Sequence, residues 1–213
     1  MKGRTLINSV FALLTLVIVT SGSTFAQSAP PIPTADQQIA AAVSPAPQPM
    51  QDDATVLGYS DDMELITLRE GANNMTCLAD NPGDDRFHVA CYHNDLEPFM
   101  TRGRELSAEG QSSAEVREIR QQEIEEGTLS MPEKPMSLYS LTGDTSAWDY
   151  DTGTLQSARP LYVVYIPYAT VESTGISASP ASEGAPWLMD PGKPWAHIMV
   201  GTGRILGADT EEQ

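Results

Sequence analysis

The run MTCLADNPGDDRFHVACYHNDLEPFMTRGREL, residues 75–106, carries both cysteines of the chain, Cys77 and Cys91, and two of its three histidines, His88 and His93. Met75 to Ala79 and Phe87 to His93 are short, apolar and rich in β-forming residues, and Asp80-Asn81-Pro82-Gly83-Asp84-Asp85 between them is made of chain-turning residues. That is the pattern of two strands joined by a loop. In the antiparallel register that sets Ala79 opposite Val89, Cys77 falls opposite Cys91. Directly opposed residues have Cα atoms about 4.5 to 5.5 Å apart, within reach of a disulfide. The expectation is therefore a cross-linked β-hairpin, with one intrachain bond from Cys77 to Cys91.

The same run continues into a helix. Asp95 stands where a cap belongs, Pro98 fits the first turn, and Phe99, Met100, Gly103 and Leu106 share a face before Gly110. Ser112 and Glu115 have capping-box spacing ahead of Val116, Ile119 and Ile124, and Gly127 supplies the stop. Residues 95–127 thus read as an α-hairpin with a narrow apolar face, covering one side of a sheet.

Outward from this centre, Met63 to Arg69 and Met136 to Leu141 read as strands, and a polar loop is expected over Gly143 to Ser157. Leu161 to Ile166 (LYVVYI) has the profile of a central strand buried on both faces. Trp187 to Met189 and Trp195 to Val200 flank Asp190-Pro191-Gly192-Lys193-Pro194, a second hairpin. The fold class is α+β with a mostly antiparallel sheet.

The ends read differently. Lys2 and Arg4, an apolar run from Val10 to Val19 and small residues up to Ala26 form a secretory signal over residues 1–26, too short for the roughly 20 residues a spanning helix needs. Residues 27–51, with Pro30, Pro31, Pro33, Pro45, Pro47 and Pro49 among Ala, Gln and Ser, read as a disordered spacer. A single globular domain is expected over residues 52–207, followed by an acidic tail at 208–213. An exported chain, periplasmic or extracellular, meets the oxidising conditions a disulfide requires.

The chain carries 12 Lys+Arg against 29 Asp+Glu, a formal net charge of −17. Such a surface repels phosphate backbones and anionic head groups, which argues against nucleic-acid partners. No stretch after the signal is apolar enough to insert into a membrane.

Four blocks, Ile66 to Asp80, His88 to Leu106, Met131 to Gly143 and Gly184 to Val200, resemble a group of uncharacterised exported bacterial proteins. The resemblance implies a single exported domain and brings no activity, cofactor or site residue.

The residues offer several chemistries. Trp148, Tyr150, Trp187 and Trp195 sit in or beside loops and could form an aromatic platform for a small ligand, sugar or partner protein. His88 to His93 spells H-x-x-C-x-H, but strand alternation turns His88 away from Cys91 and His93, and an oxidised cysteine offers no thiolate. A divalent-metal site then rests on His93 and His197. Asp149, Asp151 and Gly153 echo part of a calcium loop but lack its closing Glu, and an Asx turn explains them equally well. G-x-S-x-G, P-loop and dinucleotide motifs are absent and no free thiol is expected, so the chain leans away from catalysis. A carboxylate-based hydrolase stays as a further alternative, recognisable only by two acids facing across a cleft. The leading expectation is a non-enzymatic binding domain using the aromatic loops, with no cofactor.

Overall fold

Apolar runs separated by turn residues pair into one sheet, and the helices that follow or precede them close its two faces. The computed structural model describes residues 31–182, 184–203 and 205–206, so the expected signal (1–26) and acidic tail (208–213) lie outside the described residues. The strands are β1 (Thr55–Tyr59), β2 (Leu65–Arg69), β3 (Met75–Leu78), β4 (Phe87–His93), β5 (Met136–Gly143), β6 (Trp148–Asp149), β7 (Thr154–Leu155), β8 (Ser157–Tyr165), β9 (Trp187–Met189), β10 (His197–Gly201) and β11 (Ile205–Leu206). The helices are α1 (Ala35–Val43), α2 (Gln48–Gln51), α3 (Glu97–Ala108), α4 (Ser113–Glu125) and α5 (Val171–Thr174). The main sheet runs β2-β1-β3-β4-β5-β8-β10-β9, with β11 added to β8. β1 and β3 are parallel, whereas the other neighbours are antiparallel. The chain is α+β with a mostly antiparallel sheet, as its sequence pattern requires.

At the centre, Cys77 pairs with Cys91 in the β3–β4 register, and their sulfurs are bonded with Cα atoms 4.0 Å apart. Alternation then sorts the sheet. Phe87, Val89 and Cys91 of β4 point to one face, where they join Val56, Cys77 and Leu141 in the core. His88, Ala90 and Tyr92 point to the other. Burying side chains of the size of Val89 and Phe87 contributes about 1.5–3 kcal/mol each, so the first face carries much of the stability.

The first face is closed by a helix where a spacer is expected. Residues 35–43 form α1, with a capping box between Thr34 and Gln37. Ala41 and Ala42 are 0% exposed against the sheet. The disordered-spacer reading of 27–51 is therefore corrected from residue 34 onward. Alanine has the highest helix propensity, and its small side chain lets the helix axis approach strands already filled by valine and phenylalanine. Gln38 fixes that approach: its Oε1 accepts Tyr59 N–H at 2.8 Å, and its Nε2 donates to Tyr59 O at 2.9 Å and Pro33 O at 2.8 Å. A Cβ on Gly58 would come within 2.6 Å of Gln38 Oε1, so the clamp needs glycine beside it.

The expected α-hairpin is present as α3 and α4, with the Ser112–Glu115 capping box formed. Its start differs. Asp95 does not cap α3; the His93 side chain accepts Asp95 N–H at 3.2 Å and a short 3-10 turn over Asn94–Leu96 leads in. A histidine ending a strand can reach that donor, whereas Asp95 lies inside the turn. Two further corrections concern strands. The loop expected over Gly143 to Ser157 contains the β6–β7 hairpin, packed by Trp148 on Phe87. β8 is central in the sheet, yet Tyr162 is 40% exposed: α1 packs on β1, β3 and β4, and the end of β8 beyond it lies open.

Candidate functional site

The second face of the sheet is roofed by α3 and α4 but not filled. Between roof and floor runs a cleft of about 960 Å³, a volume in the range of small-molecule sites. Its floor includes Tyr59 of β1, Leu78 of β3, Ala90 and Tyr92 of β4, Leu138 of β5 and Tyr165 of β8. Its roof includes Phe99, Met100 and Gly103 of α3 and Val116, Arg117 and Arg120 of α4.

Each roof helix is held by polar contacts at its margins. Glu97 Oε2 accepts the Tyr92 hydroxyl at 2.7 Å, Glu97 Oε1 accepts Arg104 Nη2 at 2.6 Å, and Arg104 Nη1 donates to the Tyr92 oxygen at 3.0 Å. Burial, with Glu97 adjacent, holds the Tyr92 phenol well above its ordinary pKa, so it acts here as a neutral strut. Arg102 and Glu123, bridged at 2.8 Å, tie α3 to α4. Arg120 then crosses beneath: its guanidinium sits 3.8 Å over the Phe99 ring and Nη1 donates to Phe99 O at 3.1 Å. A Cβ on Gly103 would come within 2.9 Å of Nη1, so the missing side chain makes room for the arginine.

At one end of the cleft Trp195 stacks on Phe99 with centroids 6.0 Å apart and donates Nε1 to Asp190 Oδ2 at 3.0 Å. Tyr165 packs edge-on to Phe99 and lies 5.0 Å from the His197 ring. Burial pushes the Tyr165 phenol up to about 12, with Asp190 adding to the rise and Arg120 opposing it. Met63 and Asp190, which line opposite ends, both have left-handed backbone, with φ of 64° and 49°. Left-handed backbone at non-glycine residues concentrates at functional sites.

The residues singled out in the sequence separate. Trp195 belongs to the cleft. Trp148 is 8% exposed on the α1 side, stacked on Phe87, with its Nε1 buried and unpaired. Tyr150 lies beside it, its hydroxyl donating to Asp80 Oδ2 at 3.4 Å and its carbonyl accepting Gln37 Nε2 at 2.9 Å. Trp187 stands on the edge strand β9, near Gly201. The four aromatic residues form no common platform, because Trp148 and Tyr150 are used to close the core. His93 and His197 fall on opposite faces of the sheet by alternation, and among the described residues no group of three His, Cys, Asp or Glu could hold a metal ion. Asp149 Oδ1 accepts Asp151 N–H at 2.9 Å and Thr152 N–H at 3.0 Å, an Asx turn. The Thr152 amide holds that carboxyl below its ordinary pKa. Among the described residues lining the cleft, Asp190 is the one carboxylate, so no pair of acids faces across it.

Sequence reasoning passed over Arg120, Tyr165 and Tyr92. Arg120 had a signal: Val116, Arg120 and Ile124 are spaced four apart, putting a guanidinium in the middle of the apolar stripe of α4. Tyr165 and Tyr92 had none, because only the pairing of β4, β5 and β8 brings them under one roof. Comparison with protein-family models, curated proteins and solved structures finds no match to this chain.

Proposed function

We propose that this chain is an exported, non-catalytic binding domain that takes a small, mainly apolar ligand into the cleft between the α3–α4 hairpin and the sheet. The supporting observation is the cleft itself, roughly 960 Å³ lined by Phe99, Trp195, Tyr59 and Met100, with one carboxylate and hence no acid pair for hydrolysis. Aromatic walls with a few polar groups are the usual make-up of small-molecule sites. The Cys77–Cys91 bond is compatible with an oxidising location, and the signal expected over residues 1–26 supplies the route to the periplasm or beyond. The resemblance to uncharacterised exported bacterial proteins fits the same reading.

Titration with the apolar dye N-phenyl-1-naphthylamine tests it. Saturable, one-to-one fluorescence enhancement is expected, and Ala90→Leu, which fills the floor, should weaken it at least tenfold while leaving the circular dichroism unchanged. Absence of saturable binding, or equal binding by the filled variant, would remove the proposal.

A further inference from the structure

We infer that the Tyr165–Arg120 end of the cleft is an anion subsite, and that the ligand is an organic acid whose carboxylate sits there while its hydrocarbon body lies along the cleft. This rests on the cleft being a binding site and adds the chemistry it selects. The chain carries 29 Asp+Glu against 12 Lys+Arg, yet few of the described Lys and Arg side chains are ion-paired. Arg102 has Glu123 and Glu105, and Arg104 has Glu97. Arg117 and Arg120, both lining the cleft one turn apart on α4, are among the described cations without an ion-pair partner, and Arg120 differs from the others in having a guanidinium nitrogen that is buried and unpaired. Like charges at that spacing destabilise a helix. Glu123, the acid on α4 one turn beyond Arg120, is already engaged by Arg102.

Hydrogen bonding points the same way. Arg120 spends Nη1 on Phe99 O and stacks on its ring, and among the described residues its buried Nε has no partner and Nη2 makes no hydrogen bond. Burial with so little compensation lowers its pKa, and Arg117 contributes to the same shift. An incompletely satisfied buried donor is destabilising, and a carboxylate is the group that relieves it best, since guanidinium and carboxylate match in shape and charge. Tyr165 adds a second donor, a hydroxyl with no hydrogen bond among the described residues, packed on the same Phe99 ring. Asp190, the acid at that end, faces Trp195 Nε1 through Oδ2. Elsewhere the acidic surface turns anions away, so selectivity depends on these local donors.

The experiment compares decanoate, decanol and acetate by calorimetry on the intact protein. Decanoate is expected to bind at least tenfold tighter than decanol, with acetate showing no measurable binding. Arg120→Gln should erase the preference for decanoate. Because that change also removes the brace on Phe99, Arg117→Gln and Tyr165→Phe serve as second variants: each should weaken decanoate about three- to tenfold and leave decanol unchanged. Equal affinity for decanoate and decanol overturns the anion subsite but leaves the cleft as an apolar site. Binding of neither overturns both readings. Acetate binding as tightly as decanoate overturns the role of the hydrocarbon body.

Discussion

The face of the sheet under α1 and the face under α3–α4 share the same strands, yet one is shut and the other left open. Under α1 the contacts are alanine on valine and phenylalanine, with Ala41, Ala42, Val56, Phe87 and Val89 excluded from solvent. Under α3 and α4 the roof touches the floor through Phe99, Trp195 and Tyr165, while ionic struts at Glu97, Arg104 and Arg102 hold it at its margins. Small side chains allow close approach and large aromatic ones prop elements apart. The same sheet can thus be made a core on one side and leave a cleft on the other, and under the proposed function stability and binding should separate along that line.

The largest effect should come from cutting the link at the centre of the closed face. Replacing Cys77 and Cys91 together by alanine releases a loop of sequence separation 14, a loss of about 3 kcal/mol in the chain-entropy model. The denaturation midpoint should fall accordingly, and the folded fraction should keep its affinity for the cleft ligand.

Next comes a matched pair of insertions. Ala42→Leu places the same extra carbons against the closed face that Ala90→Leu places in the cleft. The first should cost about 2–3 kcal/mol through overpacking and the second under about 1 kcal/mol. Equal costs would mean that the two faces are packed alike. A related loss is expected from Gln38→Ala, which removes the partner of the half-buried N–H and C=O of Tyr59, at about 2 kcal/mol. Chemical denaturation measures all three.

How much of this could be read from the chain follows from what each feature depends on. The β3–β4 hairpin was legible because a two-cysteine chain has one intramolecular pairing and strand alternation fixes which residues face each other. The Ser112–Glu115 box was legible because capping is local. The same signal, Thr34 with Gln37 three residues on, marks α1, but the prolines on either side of it outweighed it, and its buried face of alanines lacks the large apolar stripe that identifies most amphipathic helices. β1 and its parallel pairing to β3 carried no local sign, since the partner lies across the whole of β2. Trp148 and Trp195 occupy equivalent loop contexts in sequence, yet one closes the core and the other lines the cleft; what separates them is which side of the sheet each loop returns to.

The smallest expected effect sharpens the boundary between the two sides. Asp80 stands after β3, accepting His88 N–H at 2.7 Å and the Tyr150 hydroxyl at 3.4 Å, and Tyr150 is joined to α1 through Gln37. Burial raises its pKa from 3.8 to about 6, against the lowering effect of those hydrogen bonds. A carboxyl raised in the fold binds its proton more tightly there than in the unfolded chain. Its contribution is therefore complete below about pH 4 and is lost as pH rises through about 6. With the group partly exposed and screened, the loss should be about 1 kcal/mol. Thermal unfolding between pH 4 and 7 should show this decline, and Asp80→Asn should flatten it. Because Asp80 holds the α1 side, ligand affinity of the cleft should stay constant across the same interval; an affinity that fell with Asp80 ionisation would show that the closed face and the open one are mechanically coupled through β4.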